Sequence, residues 1–145
     1  MLLRPGLGMP LQELGAAIRY QGALTARERE IAILAVAAST ASEFEAWAHE
    51  RVAAAIGLEP AEIAAIADGT FGGHDARERC CCELAGRLAR RGSLDDAAFR
   101  EATAVLGPAD LSELVALVGY HATLALVLDV FDVGVPADPE AGRRH

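Results

Sequence analysis

The stretch SEFEAWAHE, Ser42 to Glu50, interrupts the most alanine-rich part of the chain, between ILAVAASTA and RVAAAIGLEP. It sets three carboxylates, an indole and an imidazole among small apolar residues. At about 100° per helical residue, Ser42, Glu45, His49, Val52, Ala53 and Ile56 fall on one stripe, while Glu43, Glu50 and Ala54 point the other way. Glu45 and His49 therefore share an apolar face, and the other two glutamates are free to be solvated. Glu45 is also the third residue after Ser42, so its carboxylate reads either as the return half of a capping box or as part of a buried polar group.

Working outward, the preceding segment TAREREIAILAVAAST carries a second carboxylate on a core stripe. Glu30 shares its face with Ile33, Leu34, Ala37 and Ala41. The two helices are separated by almost nothing, so they must turn sharply and lie against each other, which brings Glu30 within reach of Glu45 and His49. Titratable groups converging in an apolar wall are how proton-transfer sites are tuned.

The chain of 145 residues is read as one domain, residues 1–145, with 52% hydrophobic residues and only 5% aromatic. Ala, Leu and Val dominate and apolar and polar residues do not alternate, which predicts an all-α fold. A net charge of −8 with no basic stripe excludes a nucleic-acid partner. The N-terminal MLLRPGLGMP is too short and too broken by proline and glycine for an export signal. The most apolar run, Leu111 to Phe131, contains Glu113, His121 and Asp129 and reads as a buried helix rather than a membrane span. The consecutive Cys80, Cys81 and Cys82 make a poor disulfide framework and suit reduced thiols in the cytoplasm.

Start and stop signals divide the chain into about seven helices. A capping residue followed three positions later by an acid occurs at Thr25/Glu28, Ser42/Glu45, Asp75/Glu78, Ser93/Asp96 and Asp110/Glu113, and Gly57, Gly92, Gly107 and Gly134 stand as stops. A helix is expected over about Leu11 to Tyr20 and another from Pro60 to about Ala67. Asp68 to Asp75, DGTFGGHD, reads as the one flexible connector, and residues 135–145 as a frayed tail.

The segment Gly22 to Ile66 resembles the core of the carboxymuconolactone decarboxylase and alkylhydroperoxidase D superfamily. The resemblance implies an all-α fold of the alkylhydroperoxidase D kind that assembles as trimers or hexamers. In the peroxidase branch a glutamate is followed twelve residues later by Cys-x-x-Cys, and then by a histidine four residues beyond the second cysteine. Those positions fall on Glu30, Ser42, Glu45 and His49 here, so the glutamate and histidine are kept and both thiols are replaced. Decarboxylase-like members carry Phe/Tyr-Glu-Trp-x-x-His; Phe44, Glu45 and His49 match it, with Ala46 in the aromatic's place and Trp47 one position later.

This resemblance implies a decarboxylase-like lyase, or an isomerase-type proton transfer, on a small carbonyl, lactone or enolisable acid, with Glu30, Glu45 and His49 as the catalytic relay. On that pattern His49 or Glu45 delivers the proton, Glu30 orients the imidazole and Ser42 hydrogen-bonds a substrate oxygen. Trp47 lies off the stripe and reads first as a contact for a neighbouring subunit, with substrate contact as the second reading. His121 shares a stripe with Leu114, Leu117, Val118, Leu124 and Leu128, which makes it a core histidine or a lining of the substrate site. Two carboxylates and an imidazole could hold a divalent ion, but without a further ligand motif no metal and no cofactor is expected. The three cysteines read as core fillers. The alternatives are a noncatalytic helical oligomeric module and a peroxidase-related protein that has lost its redox cysteines.

Overall fold

The computed structural model describes residues 4–137, which form seven α-helices and no strand. They are α1 (Pro5–Tyr20), α2 (Ala26–Thr40), α3 (Glu43–Ala55), α4 (Pro60–Asp68), α5 (Ala76–Arg91), α6 (Asp96–Leu106) and α7 (Pro108–Val130). The tail expected over 135–145 lies outside the described residues beyond 137.

The α2 helix is the axis of the molecule. Glu28 and every residue from Glu30 to Ala37 are buried, and α3, α4, α5 and α7 pack around it. A run of Ala, Ile, Leu and Val with no solvated face permits this, so the stripe expected around Glu30 widens to nearly the whole circumference. Two arginine clusters fasten the surrounding helices to its first turn. Arg27 on α2 meets Glu62 of α4 at 2.8 Å and Glu78 of α5 at 2.7 Å, and Arg77 of α5 meets Glu28 of α2 at 2.8 Å and Asp110 of α7 at 2.7 Å.

The caps show what local sequence settles. Thr25 and Glu28 form a complete capping box at α2, Asp75 caps α5 by accepting from the Glu78 N–H, and Gly92 closes α5 in the left-handed region. At α4 the Glu59 N–H donates to the Glu62 carboxylate at 2.8 Å, with Pro60 first in the helix. Two expected starts are displaced. The α6 helix is capped by Asp95 rather than Ser93, since a carboxylate at that position reaches the Ala98 N–H at 2.8 Å. The α7 helix starts at Pro108, immediately after Gly107 (φ +83°), and not at Asp110; its Glu113 turns away to accept from the Ala23 and Leu24 N–H groups. The α1 helix begins at Pro5 instead of Leu11, with Pro10 inside it, and α7 ends at Val130, before Gly134. The Asp68–Asp75 connector is anchored at two points: Phe71 is buried, and the His74 N–H donates to Glu78.

Between α2 and α3 the turn is as tight as the sequence requires. Thr40 ends one helix, Ala41 adopts a left-handed conformation (φ +53°), and Ser42 caps the next. An L-residue pays about 1–2 kcal/mol to sit there, offset by the helix pair it closes. The long apolar α7 has the length and composition of a membrane span, but it packs against α1, α2, α5 and α6 and buries Leu111, Leu114, Leu117, Val118, His121, Ala125 and Leu128. Its interior-facing stripe carries His121 to the α2–α3 pair.

Candidate active site

On α3 the expected faces hold. Glu45 and Ala53 are buried, His49, Val52 and Ile56 are half-buried, and Glu43, Glu50 and Ala54 are exposed. Ser42 does cap the helix, accepting from the Glu45 N–H at 3.4 Å. The Glu45 carboxylate, however, does not return to the cap as it would in a capping box. It turns inward, where its Oε2 lies 3.1 Å from His121 Nδ1 and 3.6 Å from His49 Nε2. The question posed by SEFEAWAHE is thereby answered at the level of geometry: the serine is a cap, and the glutamate is part of a buried polar cluster.

His49 is held from both sides. Its Nδ1 lies 2.7 Å from Glu30 Oε2, which comes from α2, while its Nε2 faces Glu45. With Glu30 accepting from Nδ1–H, Nε2 is the nitrogen left to take up or give a proton. The His49 and His121 rings meet edge to face with centroids 5.2 Å apart, and the Tyr120 and His121 rings do the same at 4.9 Å. Burial, and after it the charge of Glu45, pushes the Tyr120 phenol above its ordinary value, so at neutral pH it is a proton-bearing donor.

A cleft of about 280 Å³ opens onto this cluster. Glu30, His49, Tyr120 and His121 form its polar wall, Ile18, Ile33 and Leu124 its apolar wall, and Gln12 and Arg19 of α1 also line it. Arg29 lines it too, and its Nε is buried with no hydrogen-bond partner among the described residues. The Nε of Arg87 is unpartnered in the same way but lies outside this cleft, so Arg29 is set apart by its place in the lining, as a cation within reach of an acceptor there.

The structure thus brings together Glu30, Glu45, His49 and His121. Glu45 stands behind the two histidines and does not itself line the cleft, and Ser42 and Trp47 also lie outside the lining; Trp47 packs on Phe44, and the Arg51 guanidinium sits 4.3 Å above its ring. The cysteines are elsewhere, on α5. Burial pushes the Cys81 thiol up to about 12 and Cys82 up to about 11, and raises Cys80 in the same direction. Arg29, Tyr120 and Gln12 are lining residues that sequence reasoning missed. Arg29 had a weak signal, as a cation beside a buried glutamate; Gln12 and Tyr120 had none without knowing that α1 crosses α7.

Similarity to known proteins agrees with this geometry. The chain matches no curated protein. A crystal structure from Agrobacterium tumefaciens, of a protein of unknown function named as a candidate antioxidant defence protein AhpD, superposes with a TM-score of 0.83 at 15% identity. That match covers 93% of this chain and 94% of the other. At that identity the likeness establishes the alkylhydroperoxidase D-like fold. The sequence model of the carboxymuconolactone decarboxylase family matches residues 5–85, a span containing Glu30, Glu45 and His49, and the chain belongs to the carboxymuconolactone decarboxylase family.

Proposed function

We propose that the protein is a decarboxylase-like enzyme that moves a proton on a small carbonyl, lactone or enolisable acid. The observation that carries this reading is the inward turn of Glu45, which leaves its own helix cap to join His49 and His121 beside a cleft lined by His49 and Glu30. In the proposed reaction, loss of carbon dioxide leaves the bonding electron pair on the substrate as an enolate. His49 or Glu45 then delivers a proton to carbon, and Glu30, accepting from His49 Nδ1–H, fixes the orientation of the imidazole. Arg29 supplies the missing partner for an anionic oxygen of the substrate, which favours a carboxylated molecule. A cleft of about 280 Å³ suits a small molecule.

A noncatalytic module is the rival reading, and an open cleft beside the polar cluster weighs against it. A peroxidase is weighed against by chemistry: thiols raised by burial, on a helix away from His49, are poor nucleophiles. The homo-oligomeric state and the cytoplasmic setting, with its three free cysteines, belong to this same proposal.

The direct test is solvent deuterium incorporation and carbon dioxide release across a panel of small enolisable and carboxylated lactones, with wild type beside His49→Gln and Glu45→Gln. Turnover by wild type that both variants lose is the expected result. Full activity in both variants overturns the relay.

A further inference from the structure

The buried cluster holds two carboxylates, Glu30 and Glu45, both less than a tenth exposed, beside two imidazoles. Polar groups buried at this depth need partners, which hydrogen bonds within the cluster or one divalent cation can provide. The donor atoms lie close enough together for the second. One ligating atom each from Glu45, His49 and His121 lies within 4.8 Å of the other two. Glu45 Oε2 is 3.1 Å from His121 Nδ1 and 3.6 Å from His49 Nε2. Ligands about 2.0–2.1 Å from a tetrahedral ion stand about 3.4 Å apart, so these separations bracket a coordination edge. A single carboxylate oxygen facing two imidazole nitrogens is also a poor hydrogen-bonding scheme, because 3.6 Å is too long for one of the two bonds.

We propose that Glu45, His49 and His121 form a binding site for a divalent first-row transition metal ion, with Zn²⁺ as the best fit. Two imidazoles and one carboxylate suit such an ion and not Mg²⁺ or Ca²⁺, which take all-oxygen sets. Glu30 completes the pattern. It sits 2.7 Å from the Nδ1 of His49, the nitrogen that faces away from Glu45, as the outer carboxylate that orients a metal-bound histidine. His49 and His121 both line the cleft, so the coordination position that the protein leaves unfilled is open to water or to a substrate oxygen. The sequence conceals this site because His121 lies 76 residues beyond Glu45.

The inference goes beyond the proton-relay reading and does not depend on turnover. In metal-loaded protein His49 and Glu45 are ligands, so the relay belongs to the metal-free form, and the activity of chelator-treated protein tests it separately.

The metal site is tested by calorimetric titration of chelator-treated protein with Zn²⁺ and by the visible absorption of the Co²⁺ form, on wild type, Glu45→Gln, His121→Gln and Glu30→Gln. One ion per chain is expected, with four-coordinate Co²⁺ bands and no thiolate charge transfer. Glu30→Gln should weaken binding by about 10–100-fold, and loss of a direct ligand should weaken it further. A Zn²⁺-dependent rise in the melting temperature of wild type is expected too, and needs no variant to fold. Absence of both stoichiometric binding and that rise overturns the proposal. So does binding unchanged in Glu45→Gln and His121→Gln, or a thiolate spectrum, which would move the ion to the cysteines.

Discussion

Glu45 and His121 meet at 3.1 Å from helices α3 and α7, and the pairing takes from Ser42 the carboxylate that would have completed its capping box. Cap and cluster are therefore separable by mutation. Ser42→Ala should lower stability by about 1 kcal/mol and leave the rate intact. Glu30→Gln, Glu45→Gln and His49→Gln should each remove most of the rate, about a hundredfold or more, with a smaller change in melting temperature. If the members act as a unit, as the proposed relay requires, Glu45→Gln/His49→Gln should cost little more than the worse single change. Rate and melting temperature measured on the same variants check all of this.

Arg29 should separate binding from chemistry. Replacing it with Leu removes a charged donor from the cleft, so kcat/KM for an anionic substrate should fall by about tenfold or more, chiefly through KM. A neutral ester of the same substrate should be little affected. Steady-state kinetics on the acid and ester pair read the difference.

The thiols should prove inert. Cys81 is fully buried, with its thiol pushed up to about 12, so replacement of Cys80, Cys81 and Cys82 together by Ala should leave activity within about a few-fold of the parent. Labelling of the native protein by iodoacetamide at neutral pH should be slow and should accelerate on unfolding.

Acid should attack the arginine clusters. Hydrogen bonds from Arg27 hold Glu78 and Glu62 below their ordinary carboxylate range. A carboxyl lowered in the folded state adds stability that is present above its unfolded pKa and is lost as pH falls through the folded one. Melting temperature should thus decline below about pH 4 in wild type, and Arg27→Met should flatten that decline while lowering stability near neutrality. Thermal scans across pH test the sign.

The chain should not be a monomer. Leu126, Val130 and Phe131, at the end of α7, are each at least 60% exposed, and Leu7 and Met9 on α1 are exposed as well. Apolar area of this kind favours burial between subunits. Light scattering at micromolar concentration should give a mass well above 15.2 kDa.

How far the sequence reaches can be judged from particular residues. The α2–α3 pair and the Glu30–His49 approach were legible because both residues lie on adjoining helices joined by two residues, so one turn fixes their meeting. Thr25 and Asp75 were legible as caps because their partners are three residues away. Glu113 was misread for the opposite reason: its partners, Ala23 and Leu24, lie 90 and 89 residues earlier, and a local rule cannot see them. Asp95 won over Ser93 because two cap signals overlapped. His121 was placed on its stripe but not against Glu45, since that contact depends on how α7 crosses α3.

The first helix has a consequence of its own. It supplies Gln12, Gly15, Ala16, Ile18 and Arg19 to the cleft, while the cluster stands on α2, α3 and α7. Only Ile18 of its sixteen residues is buried, and α7 is its main support, with Gly15 leaving just the room that the Tyr120 hydroxyl occupies. Changes along α1 other than at Gly15 and Ile18 therefore disturb little of the core. On the proposed reading, part of the wall that meets a bound molecule is therefore carried by a helix that holds none of the polar cluster, and that part can drift in evolution or be redesigned in the laboratory while the cluster stays fixed.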